Sequence, residues 1–145
     1  VALPAKANAV MVDMLKYTAV GFGDYKSTVG GKTGTTNDYV DGWFIGITPS
    51  LVVGTWVGRE DQWIKFNTLA DGQGSVMAKP FFKAFLRRLE NTTDVDYDPE
   101  TKFATPEGGL DIETDCAKYN ALRHQSVPQQ YSTEENFQEE FNENQ

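Results

Sequence analysis

The sequence predicts an α+β fold, a three-stranded antiparallel meander with a helix on either face, followed by a largely irregular acidic tail. Three observations lead there. Apolar residues recur at helical spacing in two places, Ala7 to Leu15 and Phe81 to Leu89. Between them lie two apolar runs, Trp43–Thr48 and Leu51–Val57, separated only by Pro49-Ser50. Charge then divides the chain: residues 1–90 carry a net +2 and hold all three Trp, whereas residues 91–145 carry a net −10. We expect a compact body over 1–90 and an acidic extension over 91–145, disordered toward 125–145.

Each element has its own local cause. Ala7, Val10, Met11, Met14 and Leu15 set one side of a helix, with Lys6, Asn8, Asp13 and Lys16 opposite. It follows Pro4 and stops at Gly21-Phe22-Gly23. Ser27–Thr36 is rich in Thr, Val and Gly and supplies the first strand, closed by the polar turn Asn37-Asp38. The two apolar runs form a hairpin, and because they do not alternate they are expected to be buried on both faces. Residues 58–74 have loop composition. Met77 to Leu89 returns to helical spacing, with Phe81, Phe82, Phe85, Leu86 and Leu89 apolar, Lys83, Arg87 and Arg88 polar, and Pro80 in the first turn. From Gln125 to Gln145, Gln, Glu, Asn and Ser dominate, and apolar surface is too sparse to offset ordering entropy.

Composition excludes several functions. A pI near 4.6 and a formal charge of −8 argue against nucleic acid as a partner, which requires clustered Lys and Arg. The single Cys116 allows no internal disulfide and no cysteine zinc cluster, and the single His124 no paired-histidine metal site. No run approaches the length of a membrane span, and no targeting segment is expected within these residues. The chain opens on Val1 and is expected to be a piece of a longer protein.

One dense cluster of chemically useful groups remains, Gly30-Gly31-Lys32-Thr33-Gly34-Thr35-Thr36. A phosphate-binding loop needs Gly, four residues, then Gly-Lys-Thr and a helix. Here Lys26 stands where the first Gly belongs, and a strand follows rather than a helix. Standing alone, Lys-Thr-Gly would be a solvated strand.

It does not stand alone. Lys32-Thr33-Gly34-Thr35-Thr36, Asp41-Gly42-Trp43-Phe44-Ile45-Gly46-Ile47-Thr48-Pro49 and Val53-Gly54-Thr55-Trp56-Val57-Gly58 occur in order, flanked by Met11–Lys16 and Ala78–Phe82. Together, over roughly Ala7 to Leu89, these segments resemble the C-terminal part of the transpeptidase domain of class A penicillin-binding proteins. The resemblance implies the fold shared with serine β-lactamases and a cleft bordered by the Lys-Thr-Gly strand. It implies a peptidoglycan stem peptide or a β-lactam laid beside that strand, an addition that draws on main-chain hydrogen bonds. Catalytic roles would fall to Lys32, which supplies positive potential and helps move a proton, and Thr35, whose N–H would form half of an oxyanion hole. Substrate binding would fall to Thr33, Gly34, Thr35 and Thr36, the glycine admitting close approach. No cofactor is implied, and the parent would work in the periplasm or at the extracytoplasmic face of the bacterial inner membrane.

The chain departs from that family in one decisive respect. None of Ser27, Ser50, Ser75, Ser126 and Ser132 has Lys three residues on or Asn two residues on, so neither Ser-x-x-Lys nor Ser-x-Asn is present. The chain is therefore expected to be inactive alone, completed in the parent by the remainder of the transpeptidase domain. Without the first strands of that domain, Leu51–Val57 would keep an open apolar edge, suited to self-association or to cover by part of 91–145. Two other readings are a non-catalytic cell-wall-binding or interaction module of the same fold, and a serine β-lactamase or D,D-carboxypeptidase relative.

Overall fold

A computed structural model describes residues 3–61, 63–110 and 112–126, with side chains to residue 122. It divides into two units, one ending at Asp111 and the other beginning at Ile112. The first contains helix α1 (Ala5–Thr18), strands β1 (Gly30–Thr35), β2 (Gly42–Thr48) and β3 (Leu51–Val57), the single turns α2 (Leu69–Gly72) and α3 (Gly74–Met77), and helix α4 (Lys79–Glu90). The second contains α5 (Cys116–Ser126), which carries the exposed thiol of Cys116. Residues 127–145, nearly all of the stretch expected to be disordered, lie outside the described residues.

The sheet is antiparallel in the order β1-β2-β3, with Gly34 opposite Trp43 and Trp43 opposite Trp56. Side chains alternate along each strand. One face therefore carries Phe44, Gly46, Val53, Thr55 and Val57, and the other Trp43, Ile45, Val52, Gly54 and Trp56. The first face is the core. There the rings of Phe22, Phe44 and Phe82 meet at centroid separations of 5.1–6.0 Å. Leu86, Ala78, Val29 and Ala19 close around them, and α4 contributes through Phe82 and Leu86. Gly46 is required by this packing, because a Cβ there would stand 2.3 Å from the Phe82 ring.

The hairpin is not buried on both faces. Its burial alternates, and on the outer face Trp43, Ile45, Trp56 and Val52 are exposed, Val52 to 71%. The reason is coverage rather than hydrophobicity: α3 and α4 lie on the Phe44 side. On the opposite side α1 reaches the sheet at its Gly30 end, where a Cβ on Gly30 would touch Leu15 and Ile47. α1 itself has no buried residue, and Met11, Met14 and Tyr17 stand exposed.

The body extends past the last core helix. Tyr97 packs against the core, and its hydroxyl lies 2.8 Å from the buried Ser27 hydroxyl. Glu90, at the end of α4, accepts hydrogen bonds from the backbone N–H groups of Ser27 (2.8 Å) and Lys26 (3.3 Å). The approach to β1 is thus tied to the C-terminus of α4.

Candidate functional site

β1 is the terminal strand of the sheet among the described residues, so one of its edges is open. In an antiparallel pair, backbone groups point alternately toward and away from the partner. The Thr36 N–H donates to the Asp41 carbonyl at 3.1 Å. Counting back two residues at a time, Gly34 and Lys32 direct their backbone groups toward β2, and Thr33, Thr35 and Gly31 direct theirs outward. Two contacts agree with this: the Thr18 hydroxyl donates to the Gly31 carbonyl, and the Lys32 ammonium donates to the Thr33 carbonyl at 2.7 Å. The end of α1 therefore occupies the edge at Gly31, and from Thr33 onward the one contact on the outward backbone groups, among the described residues, is the Lys32 ammonium on the Thr33 carbonyl.

Side chains sort the other way. Lys32 and Gly34 share the outer face with Ile45, Trp43 and Trp56, whereas Thr33 and Thr35 project to the Phe44 side. Lys32 is exposed and makes no ion pair among the described residues. Trp43 and Trp56 stand opposite each other with ring centroids 6.3 Å apart, and the Trp56 Nε1–H donates to Asp41 Oδ1 at 3.2 Å. An ammonium whose partner is the Thr33 carbonyl thus sits at the border of an apolar, aromatic-floored surface.

The glycines of the motif differ in kind. A Cβ on Gly31 would stand 2.6 Å from the Phe44 ring, so the core demands glycine there. A Cβ on Gly34 would merely touch Trp43 Cβ at 3.4 Å, an ordinary contact. Packing within this chain does not explain Gly34.

Thr35 is braced from behind. Its hydroxyl accepts a hydrogen bond from the N–H of Gly74, the first residue of α3, at 3.0 Å. That approach needs glycine, since a Cβ on Gly74 would stand 2.4 Å from the Trp43 carbonyl oxygen and 2.5 Å from that of Gly34. Thr36 closes the following turn by accepting from the Asp41 N–H at 2.9 Å. Asp38 and Tyr39 in that turn both have positive φ, 59° and 60°, an uncommon backbone for residues with side chains. The Lys65–Asp38 ion pair at 3.2 Å holds the turn to the loop after β3.

The structure therefore brings Lys32, Thr33, Gly34 and Thr35 together along one open edge and sets Thr36 at its end. The supports from Glu90, Thr18 and Gly74 were not legible in the sequence, because each reaches its partner across more than ten residues and carries no local pattern. Among the described residues, no three metal-ligating side chains cluster, and no helix is long and apolar enough to cross a membrane.

Over part of its length the chain is homologous to class A penicillin-binding proteins. It is 34% identical over 106 residues to penicillin-binding protein 1A of Aquifex aeolicus (strain VF5), a match covering 68% of this chain and 14% of that protein. A shorter segment of 32 residues is 56% identical to penicillin-binding protein 4 of Bacillus subtilis (strain 168), and a segment of 32 residues is 67% identical to penicillin-binding protein 1A of Rickettsia bellii (strain RML369-C). Those segments cover 22% of this chain and 5% and 4% of the two relatives. No family model matches the chain. The matches thus span only a small part of each relative's length.

Proposed function

We propose that this chain is part of a peptidoglycan D,D-transpeptidase and supplies its substrate-binding strand. The observation that carries the reading is the edge at Thr33–Thr35. It combines outward-directed backbone groups, a neighbouring ammonium with no carboxylate partner among the described residues and a glycine that internal packing does not require, on a chain homologous to penicillin-binding proteins. A stem peptide ending in D-alanyl-D-alanine adds to this edge as a further strand. In this reading the Thr33 and Thr35 hydroxyls bind its terminal carboxylate, the Lys32 ammonium supplies positive potential to it from the other face of the strand, and the Thr35 N–H faces the carbonyl oxygen under attack.

The serine that would form the acyl ester lies in none of the five serine contexts of this sequence. In this reading the serine belongs to the remainder of the domain, which packs on the exposed face of Trp43, Ile45 and Trp56 in the cell-wall compartment. The reaction is acyl transfer: the serine displaces D-alanine, and an amine of a neighbouring stem then displaces the serine.

The test titrates the 145-residue chain with diacetyl-Lys-D-Ala-D-Ala and follows amide resonances. Saturable shifts at Thr33 and Thr35 are expected, with affinity falling about tenfold in Lys32→Gln, the scale of one charge-assisted hydrogen bond. Shifts elsewhere, or binding indifferent to Lys32, would overturn the assignment of the edge. A fluorescent penicillin should leave the chain unlabelled; stoichiometric labelling would show a nucleophile in it.

A further inference from the structure

On the core side of the sheet, beyond the ends of β2 and β3, the loop after β3 arches over a cleft of about 340 Å³. Its floor and walls are apolar: Val40, Val57, Ile64, Phe66 and Met77. Val40 and Met77 are buried, so the floor belongs to the folded body. Cations stand among the lining residues, Arg59 and Lys65. Lys65 is engaged with Asp38, whereas Arg59 is exposed and makes no ion pair among the described residues, although Glu60 and Asp61 follow it in sequence. No lining residue is acidic. No residue of the Thr33–Thr35 edge lines the cleft, although Met77 packs against Gly42, the partner of Thr35 in the sheet.

We propose that this cleft binds a small amphiphilic carboxylate, its apolar body between Ile64, Phe66 and Met77 and its carboxylate on the Arg59 guanidinium. The volume falls at the lower end of the range that encloses small organic ligands, and such sites join an apolar lining to a few placed polar groups. Of the two cations in the lining, Lys65 is paired with Asp38, and the planar fork of Arg59 matches a carboxylate with two parallel hydrogen bonds. A neutral apolar molecule would leave that fork unused, and a small hydrophilic anion would leave the apolar walls unused. The inference is independent of the reading of the Lys-Thr-Gly strand.

The probes are 4-phenylbutyrate, its neutral counterpart 4-phenylbutanol, and butyrate, each titrated into the intact 145-residue chain with amide detection. Phenylbutyrate should shift Val57, Ile64 and Phe66 saturably and bind about fivefold or more tighter than the alcohol, the least a guanidinium–carboxylate pair in a partly enclosed site is expected to contribute. Butyrate should bind more weakly than phenylbutyrate. In Arg59→Gln, an exposed substitution that leaves the core intact, the acid and the alcohol should bind alike. In Ile64→Ala both should weaken while the ratio between them persists. Absence of saturable shifts at the cleft, equal binding of acid and alcohol by the unaltered chain, or a preference that survives Arg59→Gln would each overturn the proposal.

Discussion

At the scale of single residues, the core is organised around what glycine lacks and what one threonine wastes. Gly46 lies under the Phe82 ring, and a methyl group there has no volume to enter. Gly46→Ala should destabilise the body by about 1–3 kcal/mol, the usual penalty of overpacking, measured as a shift in urea midpoint at constant slope. Thr48 presents the opposite defect. It is buried, and its hydroxyl has no hydrogen-bond partner among the described residues. Thr48→Val keeps the shape and removes the desolvated group, so it should stabilise by about 1 kcal/mol. A loss of stability would show that the hydroxyl is satisfied in solution. A third residue gives a pH signature. The Arg87 guanidinium, 2.5 Å away, holds the Asp24 carboxyl below its ordinary value. A carboxylate depressed in the folded state contributes stability above its unfolded pKa and loses it as pH falls through the folded pKa. Between pH 5 and 2 the unaltered chain should therefore lose slightly more stability than Asp24→Asn; both groups are solvent-exposed, so the difference should shrink with added salt.

At the scale of elements, the order of α1, β1, the hairpin and α4 was legible because each is a local pattern, whereas β1 begins at Gly30 rather than Ser27 and the short turns α2 and α3 were not expected. A 3.6-residue period, a Pro-Ser turn and a proline in the first turn of α4 are all written within a dozen residues. Coverage of the hairpin was not legible. Trp43, Ile45, Val52 and Trp56 are as apolar as the residues that face the core, and sequence alone cannot tell an apolar face that is covered from one that is bare. The candidate strand was legible as a motif, yet its supports were not, since Glu90 and Gly74 reach it from distant positions. Glu90 is the informative case. A carboxylate at the end of a helix opposes the helix dipole, so its place there needs another cause. Its two bonds to the Lys26 and Ser27 N–H groups supply one. Glu90→Ala leaves both donors without that acceptor and should cost about 1–3 kcal/mol. Its specific mark would be faster hydrogen exchange at Ser27 and along the start of β1, with α1 unchanged. A uniform change across the sheet would mean that Glu90 acts on the fold as a whole rather than on the approach to the strand.

At the scale of the whole molecule, the first unit has a well-packed core on one side of a sheet and an unfinished surface on the other. The outer face exposes Trp43, Ile45, Val52 and Trp56, and β3 ends the sheet with Leu51–Val57, a strand with no charge, no proline and no bulge. Natural edges are usually protected by one of those devices. The ladder fixes which groups this edge offers. β2 turns the backbone of Trp43, Ile45 and Ile47 toward β1, so Gly42, Phe44, Gly46 and Thr48 pair with β3 through Val57, Thr55, Val53 and Leu51. Val52, Gly54 and Trp56 are left with outward N–H and C=O groups. An antiparallel copy centred on Gly54 sets Val52 against Trp56 and Val53 against Thr55, keeping both faces in register across the junction. We therefore expect the chain to self-associate through β3 at concentrations of about 100 µM, in the range of weak protein association. Val52→Lys puts a cation on a position already exposed, at the edge and opposite the copy's Trp56, and should return the chain to a monomer by sedimentation without changing its urea midpoint. A monomer before the substitution would overturn the prediction, and association that survives it would move the contact from the strand edge to the aromatic face.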